Sequence, residues 1–211
     1  MGFLAAFTNL FGTDLLNEPE KLRRGVRESY SGAATDPKGR HPFPVGDDFA
    51  LSLGYPRDLL DAIPPRSRNS FVGVANVSVF ADLPEGATVL DIGCGAGLDA
   101  LIAARRVGPT GRVTGLDFSP AMLALAEQSA AETGLSNLKF ICGEAEKLPL
   151  TDRSVDIVLV NGIFNLNPDR NAVFREIGRV TRPGGMVYAA ELVLTAPLKK
   201  RRLRKVDDWF S

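Results

Sequence analysis

Metal-site and disulfide chemistry have little to work with in this chain, which holds two cysteines and one histidine among 211 residues. Cys94 and Cys142 form neither a CxxC pair nor a repeat spacing, so a reducing, cytoplasmic setting is the default expectation. His41 sits beside Pro42 with no other His or Cys nearby, and no metal is expected there. Excess charge of one sign is also lacking, since 25 basic residues balance 25 acidic ones. Neutralising a phosphate backbone takes a clear surplus of Lys and Arg, so nucleic acid is not an expected partner. Long apolar runs are missing too: none approaches the roughly 20 residues that span a bilayer, and no membrane partner is expected. Met1 to Phe11 carries Phe3, Leu4, Phe7, Leu10 and Phe11 on one side of a prospective helix, without the basic n-region of a signal peptide. That stretch reads as a helix packed on the body of the protein or on a second chain.

What is present is a composition 45% hydrophobic, enough for one α/β domain with a small appendage. The organising stretch is Thr88 to Gly97, where the apolar run Val89, Leu90, Ile92 leads into glycines at alternate positions, Gly93, Gly95 and Gly97. A doubly buried strand turning into a helix predicts such a loop, with free N–H groups at the helix start and room for a ligand against the backbone. A dinucleotide loop reads Gly-x-Gly-x-x-Gly; here the third glycine comes one residue early. Asp91, just ahead of the loop, suits a cationic ligand better than a pyrophosphate.

Before that strand, Asn17 to Gly32 carries a capping box and an i, i+4, i+8 apolar stripe, which predicts a helix stopped at Gly32. Ser31 to Asp48 reads as a loop or lid, Asp58 to Ile63 as a short helix closed by Pro64 and Pro65, and Phe71 to Leu83 as helical. After it, strands are expected at Arg112 to Phe118, Leu138 to Cys142, Val155 to Val160 and Met186 to Leu194. Helices fall between them at Leu98 to Val107, Ala121 to Thr133 and Asn171 to Val180, the last with Val173, Phe174 and Ile177 inward. The alternation predicts a doubly wound, mostly parallel sheet. Residues 1–84 form a helical cap and lid, 85–196 the ligand-binding domain, and 197–211 a basic tail. Lys199 to Lys205 in that tail is expected to be a solvated face.

Ligands of such sheets sit beyond the carboxyl ends of the strands. Those ends carry Asp91 and the glycine loop, then Asp117, about 20 residues past the loop, where a carboxylate can take both hydroxyls of a ribose. Gly143-Glu144-Ala145 and Asn161-Gly162 end the next two. The ordered segments Val-Leu-Asp-Ile-Gly-Cys-Gly-Ala-Gly, Gly-Leu-Asp-Phe-Ser (115–119), Gly-Glu-Ala-Glu-Lys-Leu-Pro (143–149), Val-Asp-Ile-Val-Leu-Val-Asn (155–161) and Arg-Pro-Gly-Gly (182–185) resemble the motifs of class I S-adenosylmethionine-dependent methyltransferases. The resemblance implies a Rossmann-like fold and S-adenosylmethionine as cofactor. It places Asp91, Gly93, Cys94, Gly95 and Gly97 by the methionine part and Asp117 and Phe118 by the ribose. Gly143, Glu144 and Ala145 would border the adenine, with Asn161 near the ammonium. No metal is implied, and no catalytic residue is singled out: Tyr30, His41 and Tyr55 are the only candidate bases in the cap.

Leu53-Gly54-Tyr55 and Asn161-Gly-Ile-Phe-Asn165-Leu-Asn-Pro168-Asp169 are similar to segments of the arsenite methyltransferases within that class. That subfamily holds trivalent arsenic on cysteine thiolates; Val74 and Gly162 stand at two of the aligned positions, and a third falls after Asp207-Asp208-Trp209-Phe210, where the chain ends at Ser211. The expected partner is a small-molecule acceptor, arsenite-like or otherwise; the alternative is a non-catalytic cofactor-binding or interaction module. The resemblance also leads one to expect a sheet-closing hairpin after the fifth strand. Its lack implies a fragment, or a homodimer in which a second copy covers the open edge.

Overall fold

The computed structural model describes residues 19–193. The apolar stripe of Met1 to Phe11 and the basic run of Lys199 to Lys205 lie outside these residues. Helices come first in the chain: α1 (Pro19–Thr35), α2 (Asp47–Ser52), α3 (Arg57–Asp61), α4 (Pro65–Asn69) and α5 (Val77–Phe80). Strand and helix then alternate through β1 (Thr88–Ile92), α6 (Leu98–Arg106), β2 (Arg112–Asp117), α7 (Pro120–Thr133), β3 (Leu138–Cys142), β4 (Val155–Asn161), a 3-10 turn (Phe164–Leu166), α8 (Arg170–Val180) and β5 (Thr181–Ala190).

Among the described residues the strands form a parallel sheet in the order β3-β2-β1-β4-β5. The chain winds outward from β1 in one direction and then returns to its other side, so the order reverses between β1 and β4. The period-two alternation of a strand divides the core between two faces. Val89, Ile157 and Leu159 pack with Ala100, Ala103 and Ala104 of α6 on one face, while Leu90, Ile92, Val158 and Val160 meet Val173 and Ile177 of α8 on the other. Burying each Val, Leu or Ile side chain among them contributes about 1.5–3 kcal/mol, which outweighs the weak helix propensity of Val173 and Gly178 in α8.

Local chemistry places the helix ends. Ser119 accepts from the Met122 N–H to cap α7, Pro120 occupies its first turn, and Gly134 ends it in the left-handed region at φ 68°. Asp169 caps α8 through the Ala172 N–H at 2.9 Å.

Several elements differ from the sequence expectation. Helix α1 runs through Gly32 to Thr35 because Ala33 and Ala34 are buried against Ala96 and Met122, so tertiary burial overrides the glycine stop. The loop expected over 31–48 is thereby shortened at both ends by α1 and α2. Pro65 opens α4 rather than closing α3, as proline suits a first turn. The apolar stretch 71–83 is helical only over Val77–Phe80. Phe174 points outward, 54% exposed, and stacks on Phe164 with ring centroids 4.7 Å apart. Strand β5 starts at Thr181, before Arg-Pro-Gly-Gly, and lies at the sheet edge, where Met186 and Val187 are 53% and 42% exposed.

Candidate functional site

The β1–α6 loop leaves the sheet where the strand order reverses, the position at which a crevice opens between diverging connections. Gly93, Gly95 and Gly97 take φ values of 73°, 53° and 86°, conformations that a side chain reaches only at a cost. At Gly93 a Cβ would also collide with Ile163 Cγ2. At Gly95 a Cβ would project into open space with nothing within 4 Å. The loop is held by its neighbour strand: the N–H groups of Gly93 and Cys94 donate to the Leu116 carbonyl at 2.7 and 3.0 Å.

Asp117, at the tip of β2, completes the hold. Its two carboxylate oxygens accept from the Gly95 N–H at 2.9 Å and the Ser119 N–H at 2.8 Å, while its carbonyl accepts from Gly143 N–H at 3.0 Å. Burial raises its pKa, and the donated backbone bonds from Ser119, Gly95 and Phe118 only partly offset that.

One cavity opens beneath this arrangement, with about 1080 Å³ of atom-free space, its mouth included. It is lined by Asp91, Gly93, Cys94, Gly95, Asp117, Phe118, Gly143, Glu144, Ala145 and Asn161. Ten of the sequence-proposed residues thus converge on one space. Gly97 does not line it; its missing Cβ makes room for Ala126 and Phe140, at 3.0 and 3.1 Å, so it serves the seat of α6 on its neighbours. The opposite wall comes from the helical segment: Arg23, Val26, Arg27 and Tyr30 along one face of α1, then Ser70, Phe71 and Val72. Arg27 stands 5.7 Å over the Phe118 ring.

Asn161, which lines the cavity, also holds the neighbouring backbone. Its Oδ1 accepts from the Val74 and Ala75 N–H groups at 2.8 and 3.2 Å, and its Nδ2 donates to the Ala75 carbonyl and Asp99 at 2.7 and 2.9 Å. The side chain therefore clamps the 74–75 backbone onto the tip of β4. Asp99, which sequence reasoning missed, gathers this clamp: it also accepts from Tyr55 Oη at 2.7 Å, from the Ser78 N–H at 3.2 Å and from the Ser78 hydroxyl. The signal was an acid inside the wholly buried run Leu98 to Ala104. Arg23 and Glu146 were missed as well; they pair at 2.8 Å across the cavity, and nothing local in sequence joins residues so far apart.

The candidate bases fare differently. Tyr55 donates its hydroxyl to Asp99, and burial, with the Asp99 charge second, pushes its pKa well up. Burial, then Asp117, also raises Tyr30. Neither is poised to accept a proton near neutrality. His41 is outside the cavity, with Nε2 2.8 Å from the Asp36 carbonyl. Cys94 is buried, and burial with the Asp117 and Asp91 charges pushes its thiol up, so it stays protonated. Cys142 is exposed, at the end of β3 on the opposite sheet edge.

A methyltransferase domain model matches residues 83–211. The chain belongs to the methyltransferase domain family. It is 38% identical over 194 residues to an arsenite methyltransferase of Halobacterium salinarum, covering 85% of this chain and 49% of that one. A demethylmenaquinone methyltransferase of Geobacillus kaustophilus is 43% identical over 111 residues, 52% of this chain and 47% of that one. Among solved structures, an arsenic(III) S-adenosylmethionine methyltransferase from Chlamydomonas reinhardtii is similar with a TM-score of 0.52 and 38% identity, covering 66% of this chain and 46% of that one. The chain spans about half the length of the curated relatives it matches.

Val74 and Gly162, which the resemblance sets at cysteine positions, are neighbours in space. A Cβ built on Gly162 would lie 3.0 Å from Val74 Cγ1, and neither residue carries a sulfur. Among the described residues no helix is long and apolar enough to cross a membrane.

Proposed function

We propose that this chain binds S-adenosylmethionine and transfers its methyl group to a small organic acceptor. The observation that carries the reading is the convergence of the glycine turn, Asp91, Asp117 and Glu144 on one cavity at the strand-order reversal. Two features fit the cofactor. Gly95 leaves open space that a Cβ would fill, allowing close approach to the backbone. Asp91 lines the cavity, and its buried Oδ2 has no hydrogen-bond partner among the described residues, which suits a cationic donor.

In this reading Gly93 to Gly95 and Asp91 hold the amino-acid end, Asp117 and Phe118 the ribose, and Gly143, Glu144 and Ala145 the base. When bound, the cofactor supplies an electrophilic methyl on a sulfonium. The chain supplies alignment and a dry site: α1 covers the mouth through Val26 and Tyr30, and the Asn161–Asp99 clamp fixes the wall that carries Phe71 and Val72.

The wall supports a finer reading of the acceptor. Tyr30, Phe71, Val72 and Leu166 offer apolar and aromatic surface, and the Val74–Gly162 contact offers no thiolate, which favours an organic acceptor over trivalent arsenic. Calorimetric titration with S-adenosylhomocysteine and with NAD tests the cofactor; preference for NAD, or no binding of either, rejects the proposal. Turnover on phenols, quinols and thiols but not arsenite is the expected outcome for the acceptor. Binding without turnover on any of them would point instead to a non-catalytic module.

A further inference from the structure

Helix α1 lies over the cavity and is held there unevenly along its length. Its C-terminal end is seated in the body of the protein, where Ala33 and Ala34 are buried against Ala96 and Met122 and the Ser31 and Ser119 hydroxyls meet at 3.2 Å. Its N-terminal half brings Arg23, Val26, Arg27 and Tyr30 to the cavity wall. The ion pair that ties this half to the rest of the fold joins Arg23 to Glu146 at 2.8 Å. A second Arg23 contact, to Glu20 at 2.9 Å, stays within α1 and holds nothing down.

Glu146 is the better buried partner, its side chain 13% exposed against 31% for Arg23. Asn167 donates to the same carboxylate, and the Asn167 side-chain oxygen accepts from the Asp169 N–H at 2.9 Å. One carboxylate between β3 and β4 thus gathers α1 and the loop that leads from β4 to α8. At the edge of the seated end, α1 also has a soft point. Gly32 lies inside the helix, yet a Cβ there would meet nothing within 4 Å. Packing does not require glycine at this position, and glycine leaves the helix backbone freer than alanine would.

We propose that α1 swings on Gly32 as a latched cover, and that Glu146 is a positioning residue whose hold on Arg23 sets how fast the nucleoside enters and leaves. The proposal rests on the cofactor reading above and adds to it a rate. Exchange requires the helix to move aside, and moving it breaks the pair. Loss of the pair raises the open fraction of the free and the bound chain alike, so entry and release both quicken while affinity stays nearly constant. A partly exposed pair of this kind is worth a change of about two- to fivefold.

The test is surface plasmon resonance of S-adenosylhomocysteine on the whole chain, read as separate association and dissociation rates. Glu146→Gln and Arg23→Gln should each raise both rates by about two- to fivefold, and the double variant should go no further than either. Salt should quicken exchange in wild type and leave the variants unmoved. Gly32→Ala, which stiffens the pivot, should slow both rates by up to about fivefold. In the ligand-free chain, amide hydrogen exchange over residues 20–31 should rise in Glu146→Gln while that of α7 does not, which separates a released cover from a destabilised fold. Unchanged rates in Glu146→Gln overturn the proposal. So does faster release with unchanged association, which would make Glu146 a ligand contact, and so does a Gly32→Ala chain that exchanges as fast as wild type. If wild type binds no S-adenosylhomocysteine, the cofactor reading fails, and the hydrogen-exchange comparison still decides whether Glu146 latches α1.

Discussion

Asp117 and Gly95 are joined by a carboxylate-to-backbone hydrogen bond of 2.9 Å, so the tip of β2 holds the glycine turn of β1 in place. Asp117 is therefore both a wall of the cavity and a brace for its other wall. Asp117→Ala removes the acceptor for Gly95 and for Ser119 together and should weaken S-adenosylhomocysteine binding by about 1–3 kcal/mol. Calorimetry checks the magnitude. Asp117→Asn, which keeps one oxygen, should lie between; full affinity in the alanine variant would remove Asp117 from the site.

Gly93 and Gly134 share a left-handed backbone, φ 73° and 68°, but not the space around it. A Cβ at Gly134 meets nothing within 4 Å, so Gly134→Ala should cost only the conformational penalty of about 1–2 kcal/mol. Gly93→Ala adds the collision with Ile163 and should cost about 1–3 kcal/mol more. Urea midpoints at unchanged slope measure both, and equal losses would contradict the packing described at the turn.

Glu146 gives a pH prediction. Burial pushes its pKa up, but the bonds from Arg23 and Asn167 outweigh it, and the group ends below its usual 4.5. The pair thus adds stability above that value and loses it as pH falls through the lowered one. Because Arg23 is about a third exposed, the advantage of wild type over Glu146→Gln should be only about 0.5–1 kcal/mol at neutral pH. It should vanish in acid; denaturant titrations at several pH values follow it.

Asp91 has the opposite sign. Its folded pKa is raised from 3.8, so the stability it contributes is present below that value and is lost as pH rises through the folded one. Asp91→Asn should therefore gain in melting temperature over wild type as pH increases, while losing affinity for the nucleoside. A site residue kept at a cost to stability behaves this way. A thermal shift difference that is flat with pH would count against the buried acid.

Much of the half in which strands and helices alternate was legible along the chain because its signals are local. Leu138–Cys142 is a strand at the residues expected, and Ser119, Pro120 and Gly134 bound α7 as their chemistry directs. The glycine turn and the acids Asp91 and Asp117 could be placed at strand tips from spacing alone. The helical segment was less readable. Ala33 and Ala34 carry no strong local instruction, and only their burial against Ala96 and Met122 draws α1 past Gly32. Phe174 followed an apolar pattern yet turned outward, since Phe164 offered it a stacking surface that no periodicity reports.

By itself, then, the order of residues determined the alternation of strands and helices, the turn after β1 and the acids at the strand ends, all set by neighbours a few positions apart. Tertiary structure alone decided that Asn161 and Asp99 clamp the helical wall, that Arg23 meets Glu146, and that Val74 abuts Gly162. Those contacts join segments separated by scores of residues. Their geometry is set by which faces the packed sheet leaves open, and that is a property of the whole core and of no single stretch.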